Sequence, residues 1–180
     1  KREAIFWSWE YITEILKLDS EKLWVSVFLD DDEAYDIWNK EVGVPEERIV
    51  RLGEDDNWWA AGPIGSCGPC SEIYIKKKKK LGCGNLDCKP GCDCDRYLEI
   101  WNLVFTEWNR LEDGSLIPLP EKNIDTGAGL ERIAAVMQKK ESNFDTDLFI
   151  PIINETEKIL EVERNNKTDK ALKIIADHVR

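Results

Sequence analysis

A chain of 180 residues can bury a substantial core, and 42% hydrophobic residues, including eight Trp, exclude a disordered protein. The net charge of -11 argues against a free-standing nucleic-acid binder held by counterion release. No apolar run approaches the roughly 18 residues of a membrane-spanning helix, and residues 1–10 lack the layout of a secretory signal. We therefore expect a cytoplasmic protein with no membrane partner.

The first 42 residues predict a helix, a strand and a second helix. Apolar residues recur at helical spacing from Arg2 to Leu18. Leu23 to Leu29 has the β-branched and aromatic content of a buried strand, and a helix from Asp30 to Val42 is ended by Gly43. Four aromatic residues are expected to pack in the core: Trp7, Trp9, Trp24 and Trp38.

The middle of the chain combines a loop with the clearest strand pattern. Residues 49–70 hold too many glycines and prolines for regular structure, and a strand at 71–75 is expected to leave that loop. Residues 97–109 predict a long strand, and Asp113-Gly114 predicts a hairpin turn to a partner strand at 115–119. This hairpin favours an antiparallel sheet.

The last third predicts a short strand followed by helices. Asn123 to Thr126 is typical of a strand, Gly127 to Gly129 of a turn, and Leu130 to Gln138 of a helix. Helices at about 147–163 and 168–179 close the chain. Antiparallel strands with helices to either side indicate an α+β fold rather than a parallel, doubly wound sheet.

All six cysteines fall between residues 67 and 94, and such clustering in a chain without a secretory signal favours a metal over disulfides. Four of them are enough for one tetrahedral Zn²⁺: Cys83, Cys88, Cys92 and Cys94. Free thiols and a redox role are the alternatives. Cys67 and Cys70 lie in the glycine- and proline-rich loop and are interpreted as structural thiols.

The lysine run and the single histidine do not indicate a catalytic role. The lysine run at 76–80 is more typical of a solvated loop than of an RNA contact, although the latter stays an alternative. The only histidine, His178, is expected at the surface near a helix end. A mechanism that depends on a histidine base is therefore not expected.

The segment from Asn123 to Arg132 is the most informative motif. Its two glycines let backbone approach a ligand, and the following helix presents N–H groups and a positive dipole end to an anion. Arg132 can form a forked contact with phosphate, and Asp125 can hold an ammonium group. The alternative is a tight turn in which Arg132 pairs with a surface acid such as Glu131 or Asp125.

This motif belongs to a larger pattern. Four further runs accompany it: Arg51–Trp59, Gly65–Ile73, Glu99–Phe105 and Ser142–Phe149. In order and approximate spacing, the five runs resemble alanyl-tRNA synthetases over nearly the whole chain. The resemblance implies a class II synthetase fold, an antiparallel sheet flanked by helices, with a Cys-rich insertion at 76–96. It also implies a partial catalytic domain at 1–150 and the start of a helical tRNA-recognition region at 151–180.

The resemblance implies roles for individual residues. Arg132 corresponds to an arginine that lies against ATP, and Asp125 to the carboxylate that receives the alanine ammonium group. Further positions fall where the family lines its amino-acid and nucleotide pocket: Trp59, Glu72, Trp101, Asn102, Val104, Thr126, Gly127 and Gly129. Glu72 is also a candidate neighbour of Mg²⁺. Adjacent strand residues point to opposite faces, so Trp101 and Asn102 cannot both face the pocket without a bulge or twist.

The implied function is activation of alanine with ATP and Mg²⁺, followed by transfer to tRNA(Ala), with Asp125 and Arg132 facing one cavity. The sequence does not supply the family's first two signature motifs. We therefore expect little activation by these residues alone, and interpret the chain either as an excised fragment or as half of an enzyme that a complementary chain completes. The alternatives are a noncatalytic binding module that kept the fold and a metal site, and a purely structural zinc domain.

Overall fold

The computed structural model describes residues 1–180 and confirms the α+β class. In chain order its main elements are α1 (Arg2–Glu10), β1 (Leu23–Phe28), α2 (Asp32–Asp36), β2 (Ile49–Leu52), α3 (Glu54–Asn57), β3 (Trp58–Ala60), β4 (Gly65–Lys76), β5 (Tyr97–Arg110), β6 (Leu116–Ala128), α4 (Leu130–Met137), α5 (Ile150–Leu160) and α6 (Asp169–Val179). None of the helices has the length and apolar content needed to cross a bilayer. The chain forms two compact units, Lys1–Ala128 and Gly129–Arg180.

The two N-terminal helices are longer than their α-helical parts. A π-helical turn carries α1 on to Ile15, and another carries α2 on to Val42. The first helix therefore ends before the predicted Leu18, where Lys17 adopts a positive φ of 55°. The second ends as predicted, because Gly43 takes the left-handed conformation at φ 85°.

The first unit is built on one sheet with strand order β2-β1-β4-β5-β6, and β3 pairs with the far end of β4. The predicted hairpin between β5 and β6 is confirmed, and Gly114 at φ 81° makes its turn. The sheet is antiparallel except for β1 and β2, which run parallel. This parallel pair was not expected, because β2 lies within residues 49–70, which were predicted to form an irregular loop.

The prediction of an irregular loop at residues 49–70 is wrong. β2, α3 and β3 all lie in this range, and β4 begins at Gly65 rather than at residue 71. Gly68 and Pro69 lie inside β4, where the register with β5 shifts between Cys67 and Cys70. The glycine serves a close backbone approach within a strand, which composition alone cannot distinguish from a loop.

β6 also differs from its prediction. It is one strand where two short ones were expected, and it continues through Gly127, which was assigned to a turn. Its pairing with β5 is irregular between Thr106 and Trp108, and this irregularity accommodates Pro118 and Pro120. Proline is tolerated here because β6 is the edge strand of the sheet.

The core lies on the sheet face covered by α1 and α2, which we call the helix face. Side chains of β1, β4 and β5 that alternate onto this face are almost fully buried: Leu23, Val25, Val27, Ser71, Ile73, Leu103 and Phe105. Trp38 is fully buried there, and its Nε1 donates to Ser71 Oγ at 2.8 Å. Trp7 contradicts its expected core position, because its side chain is 65% exposed.

The second unit has its own small core. Four buried residues of α5, α6 and the preceding turn form it: Phe149, Ile153, Leu172 and Ala176. Arg164 closes the connection between the helices by ion pairs to Asp145 at 2.9 Å and Asp169 at 2.6 Å. The two predicted C-terminal helices are confirmed with shorter bounds, and His178 is exposed near the end of α6.

Candidate functional site

The sheet face opposite the helices carries the polar side chains, and we call it the polar face. Ser26, Glu72 and Asn102 occupy paired positions on β1, β4 and β5, so they share this face. Val104 lies two residues along β5 and pairs with Asp125 of β6. The register therefore places four of the predicted pocket positions on one face: Glu72, Asn102, Val104 and Gly127, with Asp125 beside them.

Glu72 is the centre of a hydrogen-bond chain on the polar face. It is only 8% exposed, and a buried carboxylate needs donors. Tyr74 donates its hydroxyl to Oε2, and Asn102 donates Nδ2 to Oε1 at 3.0 Å. Asn102 Oδ1 is buried and has no hydrogen-bond partner in the protein. An acceptor oriented by its neighbours and left unpaired is suited to a polar ligand.

α3 and β3 cover the next part of the same face. Asn57 is fully buried, and its Nδ2 contacts Cys70 Sγ at 3.8 Å, while its Oδ1 has no hydrogen-bond partner. The ring of Trp58 lies 5.2 Å from that of Phe28. A second unpaired buried acceptor thus lies beside Cys70, which is two positions from Glu72 and on the same face of β4.

The polar face is electronegative. Burial and the charge of Glu72 raise the pKa of the Cys70 thiol to about 12, and Glu99 adds to this effect. The same causes raise the pKa of Tyr74 well above its usual value. Both groups stay protonated at neutral pH, so Tyr74 remains a donor to Glu72. A face with several carboxylates and uncharged donors favours a cationic ligand group over an anionic one.

Trp101 and Thr126 lie on the helix face instead. Their positions adjoin Asn102 and Gly127 in an unbroken stretch of register, so they point away from the polar face. Trp101 Nε1 donates to Thr126 Oγ1 at 2.6 Å, and the Tyr11 ring of the π-helical turn lies 5.7 Å from the Trp101 ring. The bulge in β5 precedes Trp101, so it does not move the Trp101 side chain to the polar face.

Trp101, Thr126 and the exposed Trp7 line a cavity of about 430 Å³ between α1 and the last two strands. Leu103 and Ile124 complete its apolar wall. The predicted pocket residues are thus divided between two faces of the sheet. Trp59 belongs to neither group by register, because it pairs with Gly68 at the irregular part of β4 and is half-buried.

Gly129 and Arg132 belong to the second unit. Gly129 is the N-cap of α4 and contributes no side-chain acceptor to the first N–H groups of that helix. Arg132 lies in the first turn, and its Cδ is 3.1 Å from where a Cβ at Gly129 would be. The helix therefore begins where predicted, and the glycine leaves room for the arginine side chain. A shared cavity for Asp125 and Arg132 stays a prediction.

The four cysteines of the insertion come together. The Sγ atoms of Cys83, Cys88, Cys92 and Cys94 all lie within 4.8 Å of one another. Cys83 and Cys92 sulfurs are 3.4 Å apart, and Cys88 and Cys94 sulfurs are 3.5 Å apart. Four sulfurs around one Zn²⁺ are about 3.8 Å apart when each metal–sulfur distance is about 2.3 Å. The spacing therefore fits a tetrahedral zinc site.

Each pair of sulfurs combines a more acidic thiol with a less acidic one. A backbone hydrogen bond from Arg96 lowers the pKa of Cys94 to about 7, and one from Asn85 lowers the pKa of Cys83. The hydrogen bond to Cys83 raises the pKa of Cys92 to about 12, and burial raises that of Cys88. Backbone donors aimed at two sulfurs are typical of the surroundings of thiolate ligands.

The cysteine cluster packs on the polar face. Tyr74, Cys88 and Tyr97 form a buried group, with Trp24 and two further cysteines against it. The Trp24 and Tyr97 rings meet edge to face at 5.1 Å. The cluster thus lies over one end of β4, and Glu72 lies between it and the part of β4 covered by α3.

Three residues of this region were not predicted from the sequence as site residues: Asn57, Tyr74 and Glu99. Alternation along the predicted strand at 71–75 was enough to place Tyr74 on the face of Glu72. Asn57 had no such signal, because α3 was assigned to a loop. Glu99 reaches the polar face only through the bulge at Ile100, which no sequence pattern indicated.

Comparison with known proteins matches the whole chain, residues 1–180, to the family described as tRNA synthetases class II (A). The alanine–tRNA ligase of Fusobacterium nucleatum subsp. nucleatum is 59% identical over 184 residues. Those of Natranaerobius thermophilus and Pelotomaculum thermopropionicum are 57% and 56% identical over 182 residues. Each alignment covers 100% of this chain and 21% of the relative, so the chain spans about a fifth of their length.

Proposed function

Since the chain belongs to the class II (A) tRNA synthetases, we propose that it forms the alanine-binding part of an alanine–tRNA ligase. The whole ligase would activate alanine with ATP and transfer it to tRNA(Ala). The observation that carries the proposal is the arrangement of Glu72, Asn102, Val104 and Asp125 on one electronegative face. These four residues, which the family resemblance also implies, share one face by strand register, whereas Trp101 and Thr126 lie on the other.

The polar face suits the ammonium end of alanine. Asp125 supplies a carboxylate on the exposed edge strand, and Asn102 Oδ1 supplies a buried acceptor with no partner in the protein. Val104 lies between them in register and offers an apolar contact for a methyl group. We assign recognition of the amine to Asp125 and Asn102, because an ammonium group donates three hydrogen bonds and accepts none.

Trp101 and Thr126 receive a different assignment. Their hydrogen bond lies on the helix face, so we propose that they support the polar face from behind rather than contact the amino acid. Trp59 is proposed to border the pocket from β3, next to α3, which ends at Asn57. The methyl selectivity of the pocket is then assigned to Val104 alone, because Trp101 lies on the helix face.

Glu72 does not suit a magnesium ligand. Tyr74 and Asn102 each donate to one of its two carboxylate oxygens, and both donors compete with a metal. We therefore assign Glu72 to orienting Asn102, and we assign no residue of this chain to Mg²⁺. Arg132 is proposed to meet the phosphates of ATP, supported by its place in the first turn of α4 beside the uncapped N-terminal N–H groups.

With a net charge of -11, the chain offers little attraction to a phosphate backbone. We propose that tRNA(Ala) is bound mainly by other parts of the ligase. The whole ligase of the relatives is about five times as long as the matched region. The ammonium pocket, not the RNA contact, is therefore the property to test in this chain.

The test of the amine assignment is calorimetry with a nonhydrolysable alanyl-adenylate analogue, in which a sulfamoyl group replaces the phosphoryl group. Asp125→Asn keeps the size of the side chain and removes its charge. A charge-assisted hydrogen bond contributes about 1.5–3 kcal/mol, so we expect binding about 10- to 150-fold weaker than in the parent chain.

The matched control is Glu121→Gln, which removes one carboxylate charge from the same strand. It should leave the dissociation constant within about 2-fold, because Glu121 lies four positions from Asp125 along β6, about 13 Å away, which exceeds the screening length of about 10 Å at 0.1 M salt. Equal binding by the parent chain and Asp125→Asn would contradict the amine assignment. Absence of binding by the parent chain would favour a noncatalytic module.

We also propose that Cys83, Cys88, Cys92 and Cys94 hold one structural Zn²⁺. The distances among their sulfurs and the backbone donors to Cys83 and Cys94 support this proposal. When bound, zinc would cross-link an insertion of residues 76–96 whose own core is too small to order it. A site with four cysteine ligands is closed, so it would have no part in the chemistry.

The zinc site predicts a simple stoichiometry. Elemental analysis of the purified chain should find one zinc per molecule, and Cys92→Ala should lose most of it. Cys67→Ala is the matched control, because Cys67 is buried in β4 outside the cluster and should retain full zinc. A parent chain purified without chelators that contains no zinc, and binds none when zinc is added, would disprove the site.

A further inference from the structure

We propose that Tyr74 is a positioning residue that couples the four-cysteine cluster to the amino-acid pocket. Its ring belongs to the wall on which the cluster packs, and its hydroxyl orients the carboxylate that orients Asn102. This inference rests on the proposed function. It adds that the metal site regulates ligand affinity, although none of its sulfurs need touch the ligand.

The ring of Tyr74 is fixed by the cluster side of the polar face. Tyr74, Cys88 and Tyr97 are 9%, 6% and 8% exposed, so each depends on the others for its burial. Cys92 and Cys94 pack against the same group. Three of the four proposed zinc ligands therefore contact the aromatic wall. If the cluster loosened, the ring would lose a large part of its packing on that side.

The hydroxyl of Tyr74 is fixed by the pocket side. It donates to one oxygen of Glu72, and the other oxygen accepts from Asn102 Nδ2 at 3.0 Å. This bond decides the orientation of the amide, because Nδ2 must point at the carboxylate. Asn102 Oδ1 then points away from Glu72 and remains a buried acceptor without a protein partner.

These contacts form a continuous path from sulfur to ligand. With the cluster assembled, Tyr74 holds Glu72 in one rotamer, and the acceptor of Asn102 is in place before the ligand arrives. With the cluster open, Glu72 can turn and the amide can rotate, so binding must first reorder them. Pre-organisation of this kind improves affinity without a new contact.

Thermodynamic reciprocity makes the coupling measurable from either end. If zinc tightens binding of the alanyl-adenylate analogue, the analogue must tighten zinc binding by the same factor. We expect a factor of about 5 or more in the parent chain, which is the lower range for coupled sites. In Tyr74→Phe the ring and its packing remain while the hydroxyl is lost, so this factor should fall to about 1.

The control is Tyr97→Phe, which removes a hydroxyl from the same aromatic wall and leaves the Tyr74–Glu72–Asn102 chain intact. It should preserve the coupling factor. Both variants should retain one zinc per molecule, because neither residue is a ligand. Zinc affinity is measured by competition with a chromophoric chelator, with and without the sulfamoyl analogue at saturation.

The outcomes separate this inference from the proposed function. If the parent chain does not bind the analogue, the proposed function fails. If it binds the analogue equally well with and without zinc, or if Tyr74→Phe keeps the coupling of the parent chain, the inference fails. If the zinc-free chain unfolds, analogue binding is compared among the zinc-loaded chains instead. Binding that is about 3- to 10-fold weaker in Tyr74→Phe and unchanged in Tyr97→Phe supports the inference. Equal affinities in the two variants overturn it.

Discussion

Gly68→Ala should abolish the stable fold of the first unit. A Cβ at this position would lie 2.0 Å from the carbonyl oxygen of Phe105 and 3.0 Å from the backbone nitrogen of Glu107. Both atoms belong to the backbone of β5, so no side-chain rotation relieves the overlap. Phe105 is 1% exposed, and moving its backbone would disturb the core on the helix face. We expect a loss of more than about 4 kcal/mol in the free energy of unfolding, or no soluble protein.

Gly127→Ala is the matched control for this prediction. Gly127 is also a strand glycine, but a Cβ there would have nothing within 4 Å. Its free energy of unfolding, measured by urea denaturation, should stay within about 0.5 kcal/mol of the parent chain. If Gly68→Ala unfolded at the same urea concentration as the parent chain, the close approach of β4 to β5 would be wrong.

Gly68 also shows where sequence patterns stopped being informative. The hairpin of β5 and β6 was predicted because its strands are long and its turn residues are specific. The glycines and prolines of residues 49–70 indicated a loop, because local composition cannot show which glycine lies under a neighbouring carbonyl. That information depends on residues about 40 positions away in the chain. Non-local contacts of this kind explain the missed β2, α3 and β3.

The candidate site was likewise predicted only in part from the sequence. The family resemblance identified Glu72, Asn102 and Val104, and the alternation rule correctly warned that Trp101 could not share a face with Asn102. The register of β4 against β5 shows that Asn102, and not Trp101, lies on the polar face. No pattern in the sequence indicated this register. The four cysteines were chosen by clustering alone, and the chain brings their sulfurs together.

Trp38→Ala should cost about 3–5 kcal/mol in the free energy of unfolding, the usual range for removing a buried aromatic side chain. Trp38 is fully buried and packs edge to face on Trp9 at 5.6 Å. Its Nε1 donates to Ser71 Oγ, which donates to the carbonyl of Ser26 at 2.7 Å. The side chain therefore joins α2 to two central strands, and the cavity it leaves cannot be filled by small movements.

Two further variants separate the contributions to that loss. Trp38→Phe keeps most of the aromatic volume but removes the donor to Ser71, so its cost should lie between that of Trp38→Ala and zero, with about 1 kcal/mol due to the hydrogen bond. Trp7→Ala deletes the same side chain where it is 65% exposed, and it should change the unfolding free energy by less than about 1 kcal/mol. Equal costs for Trp7→Ala and Trp38→Ala would mean that α2 does not cover the helix face. In that case the face of β4 that carries Ser71 would not be the buried core face, and the assignment of Glu72 and the pocket to the face opposite the helices would be wrong.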